Sequence, residues 1–174
     1  MARWIRHFSD ADPSDRALLG NKGANLAGMT QLGLPVPPGF IVTTAACRYV
    51  QQTGTIPPDL WTEVDEAITA IEARMARRLG DTDNPLLLSV RSGAAESMPG
   101  MMDTILNVGI TPPTRAGLGR QLGDRFAADA WRRLIQMYGK VVLGAPAEWF
   151  ENALSGALLA TGLPSEHEFD TASL

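Results

Sequence analysis

The sequence LLLSVRSGAAESMPGMMDTILN, residues 86–107, changes abruptly from an apolar run to small and flexible residues, and the other segments of the chain are interpreted relative to it. Residues 86–90 are apolar enough for a short buried strand, and Pro85 prevents a helix from continuing into them. Arg91 ends this strand, and the small residues after it would let backbone N–H groups approach a ligand closely. A guanidinium beside such a loop suits a phosphate group. The same spacing also fits a surface arginine before an ordinary turn.

A second glycine-containing segment, LLGNKGANLAGM, covers residues 18–29. Its glycines precede a helical spacing of apolar residues, which places Lys22 at the start of a helix. Free N–H groups and the helix dipole favour an anion there. The residues alone favour a solvated loop lysine over a phosphate ligand. Gly28, inside the predicted helix, should cost about 1 kcal/mol relative to alanine.

The remaining pattern predicts a mixture of short strands and helices. The predicted strands are residues 4–8 and 40–42, and the predicted helices are residues 45–52, 58–79, 124–138 and 148–160. Two prolines and two glycines predict a linker at residues 110–119, and the polar tail from residue 161 is expected to fray. Arg132 and Arg133 are typical of a solvated helix face.

The composition fits one globular domain, either undivided or divided into two lobes. Of 174 residues, 45% are hydrophobic and 20% charged, and the net charge of −4 argues against nucleic acid as a partner. The single cysteine, Cys47, cannot form an internal disulfide, and no apolar run is long enough to span a membrane. We therefore expect a cytoplasmic protein without a membrane partner.

Several segments resemble the pyruvate, phosphate dikinase family, in the same order as in that family. SVRSGAAESMPGMMDTILNVG resembles its nucleotide-binding segment, GNKGANLAGM resembles its Gly-Gly-Lys-Gly-Ala-Asn-Leu stretch, and LPVPPGF and FAADAWRRLIQMYG are similar to further family segments. The resemblance covers roughly the first 160 residues. One departure lies beside Lys22, because Asn21 stands where the family has a glycine.

The resemblance implies an α+β fold, with an ATP-grasp-like nucleotide-binding lobe at residues 1–109 and a helical subdomain and tail at residues 110–174. It implies that Lys22 contacts the phosphates of ATP and that Arg91 lies near the transferred phosphate, where it would stabilise transition-state charge. Gly100 and Thr104 correspond to family positions near the nucleotide.

No metal ligand is assigned within the chain. Glu96 and Asp103 are the acids of the loop after residue 92, and either residue type also caps turns and helices. Since the resemblance covers only the beginning of the family's protein, the carboxylates that hold Mg²⁺ are expected outside this chain.

In the complete family enzyme, ATP, pyruvate and phosphate become AMP, phosphoenolpyruvate and diphosphate, by way of a phosphohistidine on a swivelling domain. This chain has no phosphohistidine motif, so we expect it to be inactive alone and to require a polypeptide with the rest of the ATP-grasp fold. Self-association would cover apolar surface that lacks its sheet partners. The alternative is a non-catalytic nucleotide-binding or interaction module, either a truncated remnant or a partner subunit.

Overall fold

The computed structural model describes residues 4–92 and 104–169 and confirms the predicted α+β class. The described residues form two compact units. The first comprises residues 4–76 together with Ser92, and the second comprises residues 77–91 and 104–169. The sequence instead predicts a boundary at residue 109, between a nucleotide-binding lobe and a helical subdomain. This boundary does not coincide with the division between the two compact units, and it stays a prediction. None of the described helices combines the length and the apolar character that a membrane crossing requires.

The first unit contains a two-stranded sheet and three helices. Its elements are β1 (Ile5–His7), α1 (Arg16–Gln31), β2 (Phe40–Val42), α2 (Thr44–Thr53) and α3 (Leu60–Met75). The two strands are antiparallel, with Ile5 opposite Val42. The α3 carboxylate of Glu63 accepts hydrogen bonds from the backbone N–H groups of Trp4 and Ile5, at 2.7 and 3.0 Å, and so ties the start of β1 to this helix.

Small side chains let α1 lie close to the sheet in the first unit. Ala24 and Ala27 are fully buried on α1 and belong to the same apolar cluster as Ile41 of β2. Leu19 and Ala11 complete the buried part of this cluster. This packing holds α1, the helix that carries Lys22, against β2.

The second unit contains a two-stranded antiparallel sheet and three α-helices. Its elements are β3 (Leu88–Arg91), β4 (Thr104–Val108), α4 (Pro112–Leu122), α5 (Asp124–Val141), α6 (Ala147–Thr161) and a 3₁₀ turn at Glu166–Glu168. Its core joins α4 and α5 to the residues that flank the sheet; the buried members are Ile110, Leu118, Ala127, Ala130 and Leu134.

The predicted linker at residues 110–119 is wrong, because most of it is the helix α4. Thr111 caps this helix, and its side chain and that of Thr114 each accept a hydrogen bond from the other's backbone N–H group. Pro112 and Pro113 occupy the first turn, where a proline interrupts no helical hydrogen bond. The prolines therefore begin a helix here.

The expectation that the tail frays is wrong as far as Phe169. This side chain is 1% exposed, and its carbonyl accepts a hydrogen bond of 2.8 Å from Nε of Arg125. Arg132 of α5 also lies 3.4 Å from the carboxylate of Glu166 in the 3₁₀ turn. Tertiary contacts with α5 thus order a segment that has no sustained periodicity.

Two further predictions need correction. The strand around residues 86–90 is buried only at its beginning, since Leu86 is 3% exposed whereas Val90 is 52% exposed. The helix predicted to run to Leu79 ends at Met75, because Ala76 adopts a left-handed backbone conformation with a φ of 51°. The remaining strands and helices occur where the pattern predicts them, with ends that differ by a few residues.

Candidate functional site

Lys22 lies just after a break inside α1. Gly20 has φ 67° and ψ 165°, which interrupts the helix after its first turn. A side chain is disfavoured at this positive φ, so glycine suits the position. Lys22 is therefore in the first turn of the helix that restarts, where N–H groups and the helix dipole favour an anion. The predicted placement of this lysine at a helix start is confirmed.

The side chain of Lys22 is half-buried, and its ammonium group contacts backbone rather than a carboxylate of the described residues. Its Nζ donates a hydrogen bond of 3.2 Å to the carbonyl oxygen of Ser92, in the same unit. Within residues 4–92 and 104–169, no carboxylate lies within ion-pair distance of Lys22. Its positive charge therefore remains uncompensated by this part of the protein.

Gly23 explains why a small residue follows Lys22. A Cβ at this position would lie 3.0 Å from Cδ1 of Ile41 and 3.1 Å from its Cγ1. Because real side-chain contacts of this kind are rarely so short, glycine permits the close approach of α1 to β2. Gly20 and Gly23, on either side of Lys22, are thus explained by backbone conformation and by packing. Neither explanation involves the charged group of Lys22.

Arg91 and Thr104 form the second part of the predicted site, in the second unit. They are cross-strand partners at the ends of β3 and β4, and Arg91 is exposed. The structure thus brings these two predicted residues next to each other on neighbouring strands. No ion pair involves Arg91 among the residues that the structure describes.

Three of the residues considered from the sequence lie outside the described residues. These are Gly100, Glu96 and Asp103, in the segment between β3 and β4. Lys22 belongs to the first unit and Arg91 to the second, so each is described within its own unit.

Asn107 shapes the strand that carries Thr104, and the sequence analysis missed it. Between Leu88 and Val90 the register against β4 shifts, and Asn107 has a positive φ of 61°. Its side-chain amide also lies 3.5 Å from the carbonyl oxygen of Ala130 in α5. Such a bulge redirects the strand end. The signal available in the sequence was an asparagine two residues before Gly109, since asparagine tolerates left-handed backbone better than most residues.

The arginine pair of α5 is engaged in ion pairs. Nη2 of Arg132 and Nε of Arg133 lie 2.8 and 2.7 Å from the two carboxylate oxygens of Asp129. Burial raises the pKa of Asp129, but the hydrogen bonds from the two arginines outweigh it and hold this pKa below its usual value. Arg132 also lies 3.4 Å from the carboxylate of Glu166, so each of these arginines already has a carboxylate partner.

The described residues contain no group of three or more histidine, cysteine, aspartate or glutamate side chains that could hold a metal ion. A magnesium ion generally takes one or two carboxylates together with phosphate oxygens of the substrate. The part of the chain that the structure describes thus offers no metal site built from protein groups alone. The origin of the Mg²⁺ ligands stays a prediction.

Comparison with known proteins identifies the sequences that this chain is similar to. Residues 16–60, which include Lys22, match the family described as Pyruvate phosphate dikinase, AMP/ATP-binding domain. The chain is 48% identical over 175 residues to pyruvate, phosphate dikinase 1, chloroplastic, of Oryza sativa subsp. japonica, covering 98% of this chain and 18% of the rice protein.

Two further relatives give the same result. The identity to the pyruvate, phosphate dikinase of Rhizobium meliloti (strain 1021) is 49% over 177 residues, covering 98% of this chain and 19% of that protein. The identity to pyruvate, phosphate dikinase 2 of Zea mays is 48% over 175 residues, covering 98% of this chain and 20% of the maize protein. The chain therefore spans about a fifth of the length of the curated relatives that it matches.

Proposed function

We propose that the chain corresponds to part of the AMP/ATP-binding domain of the pyruvate, phosphate dikinase family, which it resembles over nearly its whole length, and that Lys22 and Arg91 contact the phosphates of ATP. In this proposal Lys22 bridges phosphate oxygens, and Arg91 lies near the transferred phosphate. Gly100 and Thr104 lie near the nucleotide.

The observation that carries the proposal is the uncompensated charge of Lys22. Among the described residues, its Nζ donates a hydrogen bond to the neutral carbonyl of Ser92 and forms no ion pair, although the side chain is half-buried. A lysine that has no carboxylate partner can bind an anionic ligand without first breaking an ion pair. Arg132 and Arg133 differ in this respect, because Asp129 already occupies both of them.

The chemistry expected from these residues is charge stabilisation. Phosphoryl transfer depends largely on positioning and on neutralising the charge of the transferred group. Lys22 and Arg91 would each supply a fixed positive charge, and the forked guanidinium of Arg91 can contact two phosphate oxygens at once. Mg²⁺ neutralises further charge when it is bound, and we propose that its carboxylate ligands come from outside this chain.

We further propose that this chain acts as the N-terminal portion of a pyruvate, phosphate dikinase-like phosphotransferase. The complete reaction would convert ATP, pyruvate and phosphate into AMP, phosphoenolpyruvate and diphosphate. Because the chain spans about a fifth of its relatives, turnover would require a polypeptide with the rest of the ATP-grasp fold and a phosphohistidine domain. The single Cys47, which excludes an internal disulfide, supports a cytoplasmic location.

The second candidate is a non-catalytic nucleotide-binding or interaction module. The apolar side chains of Leu143, Trp149 and Leu159, which are 69%, 67% and 85% exposed, favour it. Exposed apolar surface of this kind marks contact with another polypeptide or with a second copy of the chain. A module of this kind would bind ATP or a partner without completing phosphoryl transfer.

Isothermal titration calorimetry with ATP and Mg²⁺ tests the binding proposal. Lys22→Ala and Arg91→Ala should each weaken binding by about 10- to 100-fold, since each removes a charge-assisted contact. Arg74→Ala is the matched control, because Arg74 is an exposed arginine at the end of α3. A folded wild-type chain that binds no ATP, or variants that bind it as tightly as wild type, would refute the proposal.

A further inference from the structure

Arg16 spans the break in α1 and contacts the helix that carries Lys22. It is the first residue of α1, four positions before Gly20, and its exposed side chain reaches across the break. Its Nη1 donates a hydrogen bond of 3.2 Å to Oδ1 of Asn21, and its Nη2 donates one of 3.2 Å to Oδ1 of Asn25. One guanidinium thus joins the first turn of α1 to two successive turns of the helix after the break.

The geometry of this contact suits an arginine. Asn21 and Asn25 are four residues apart, so their side chains lie on the same face of a helix. The planar guanidinium presents its two terminal nitrogens in a fixed arrangement and can meet both amide oxygens together. An ammonium group carries its three donors on one nitrogen, so it does not present two nitrogens at a fixed spacing.

The preceding turn is itself anchored. Oδ1 of Asp15 accepts a hydrogen bond of 3.0 Å from the backbone N–H group of Leu18 and so caps the first turn of α1. Gly20 is the break between this capped turn and the rest of the helix, and glycine restricts the backbone less than other residues do. The Arg16 contacts restrict the rotation that Gly20 would otherwise permit.

We propose that Arg16 is a positioning residue for Lys22: by bridging to Asn21 and Asn25, it holds the start of the helix in the orientation that presents the Lys22 ammonium group to ATP phosphates. This inference rests on the proposed function, in which Lys22 contacts those phosphates. The bridge depends on Asn21, which stands where the resembling family segment has a glycine. Glycine has no side-chain oxygen, so the contact to position 21 is a feature of this chain's own sequence.

A double-mutant cycle on ATP affinity separates positioning from direct contact. Arg16→Ala should weaken ATP binding by about 3- to 10-fold in the wild-type background and by less than about 2-fold when Lys22 is already alanine. If Arg16 instead touched phosphate directly, its loss would cost the same factor in both backgrounds. Equal losses in the two backgrounds would therefore overturn the proposal.

Two further variants test the geometry of the bridge. Arg16→Lys keeps the charge but cannot bridge both asparagines, so it should bind ATP as weakly as Arg16→Ala. The variant with Asn21→Gly and Asn25→Ala keeps the arginine and removes both acceptors, and it should show the same loss. Arg48→Ala, on α2 of the same unit, is the control and should bind like wild type. Full affinity in the Arg16→Lys variant would overturn the proposal.

Amide hydrogen exchange of the ATP-free chain gives a readout that does not depend on nucleotide. The amides of residues 21–24 should exchange faster in Arg16→Ala and in the double asparagine variant than in wild type. Unchanged exchange in chains that still bind ATP would refute positioning and leave the proposed function intact. A folded wild-type chain that does not bind ATP would refute the proposed function, and the role of Arg16 toward ATP with it.

Discussion

Gly23 and Gly28 occupy the same helix, but alanine should have opposite effects at the two positions. In a helix interior, exchanging glycine for alanine stabilises by about 1 kcal/mol. A Cβ at Gly28 would lie 3.6 Å from Cβ of Pro13, which is an ordinary van der Waals distance. Gly28→Ala should therefore stabilise the protein by about 0.5–1 kcal/mol.

At Gly23 the added methyl group would meet a packed side chain. Its Cβ would lie 3.0, 3.1 and 3.2 Å from Cδ1, Cγ1 and Cγ2 of Ile41, which belongs to the buried cluster between α1 and β2. Overpacking of this kind costs about 1–3 kcal/mol. Since this cost equals or exceeds the gain in helix propensity, Gly23→Ala should destabilise the protein by up to about 2 kcal/mol.

Urea denaturation followed by far-UV circular dichroism measures both effects. Ile41→Val removes Cδ1, the nearest of the three atoms, and alone should cost about 0.5–1.5 kcal/mol. In the Ile41→Val background the cost of Gly23→Ala should shrink, whereas the gain from Gly28→Ala should remain unchanged. A Gly23→Ala variant as stable as Gly28→Ala would refute the reasoning, and so would a cost that Ile41→Val does not relieve.

Three other predictions follow from the second unit. Asn107 has a positive φ, so Asn107→Val should lower the free energy of unfolding by about 1–3 kcal/mol while Asn107→Gly stays near wild type in thermal denaturation. The buried hydroxyl of Thr114 accepts a hydrogen bond from the N–H group of Thr111 and lies within donating distance of the carbonyls of Gly109 and Thr111, so Thr114→Val should cost about 1–3 kcal/mol in urea denaturation, unlike Thr69→Val at an exposed site. Because the pKa of Asp129 is lowered in the folded state, its contribution to stability should be present above about pH 4 and be lost as pH falls through that lowered pKa. Asp129→Asn should remove this part of the pH dependence of unfolding.

Local sequence signals predicted most of the helices and strands. The apolar periodicity of α3 and α5 and the alternation in β1 act over a few residues, and the structure confirms these elements. The same local reasoning failed at α4, where two prolines predict a linker. They occupy the first turn of a helix that Thr111 and Thr114 cap. It also failed at Phe169, whose burial depends on contacts with α5.

The sequence by itself determined the positions of most elements and the placement of Lys22 at a helix start, because periodicity, glycine and proline act on neighbouring backbone. The α+β class came from the family resemblance of the sequence. The tertiary structure alone decided that Arg91 faces Thr104 across a bulged pair of strands, and that Gly23 is required by the approach of Ile41. Arg91 and Thr104, and likewise Gly23 and Ile41, are separated by more than ten residues along the chain. Their proximity therefore depends on strand register and helix packing, which no local pattern specifies.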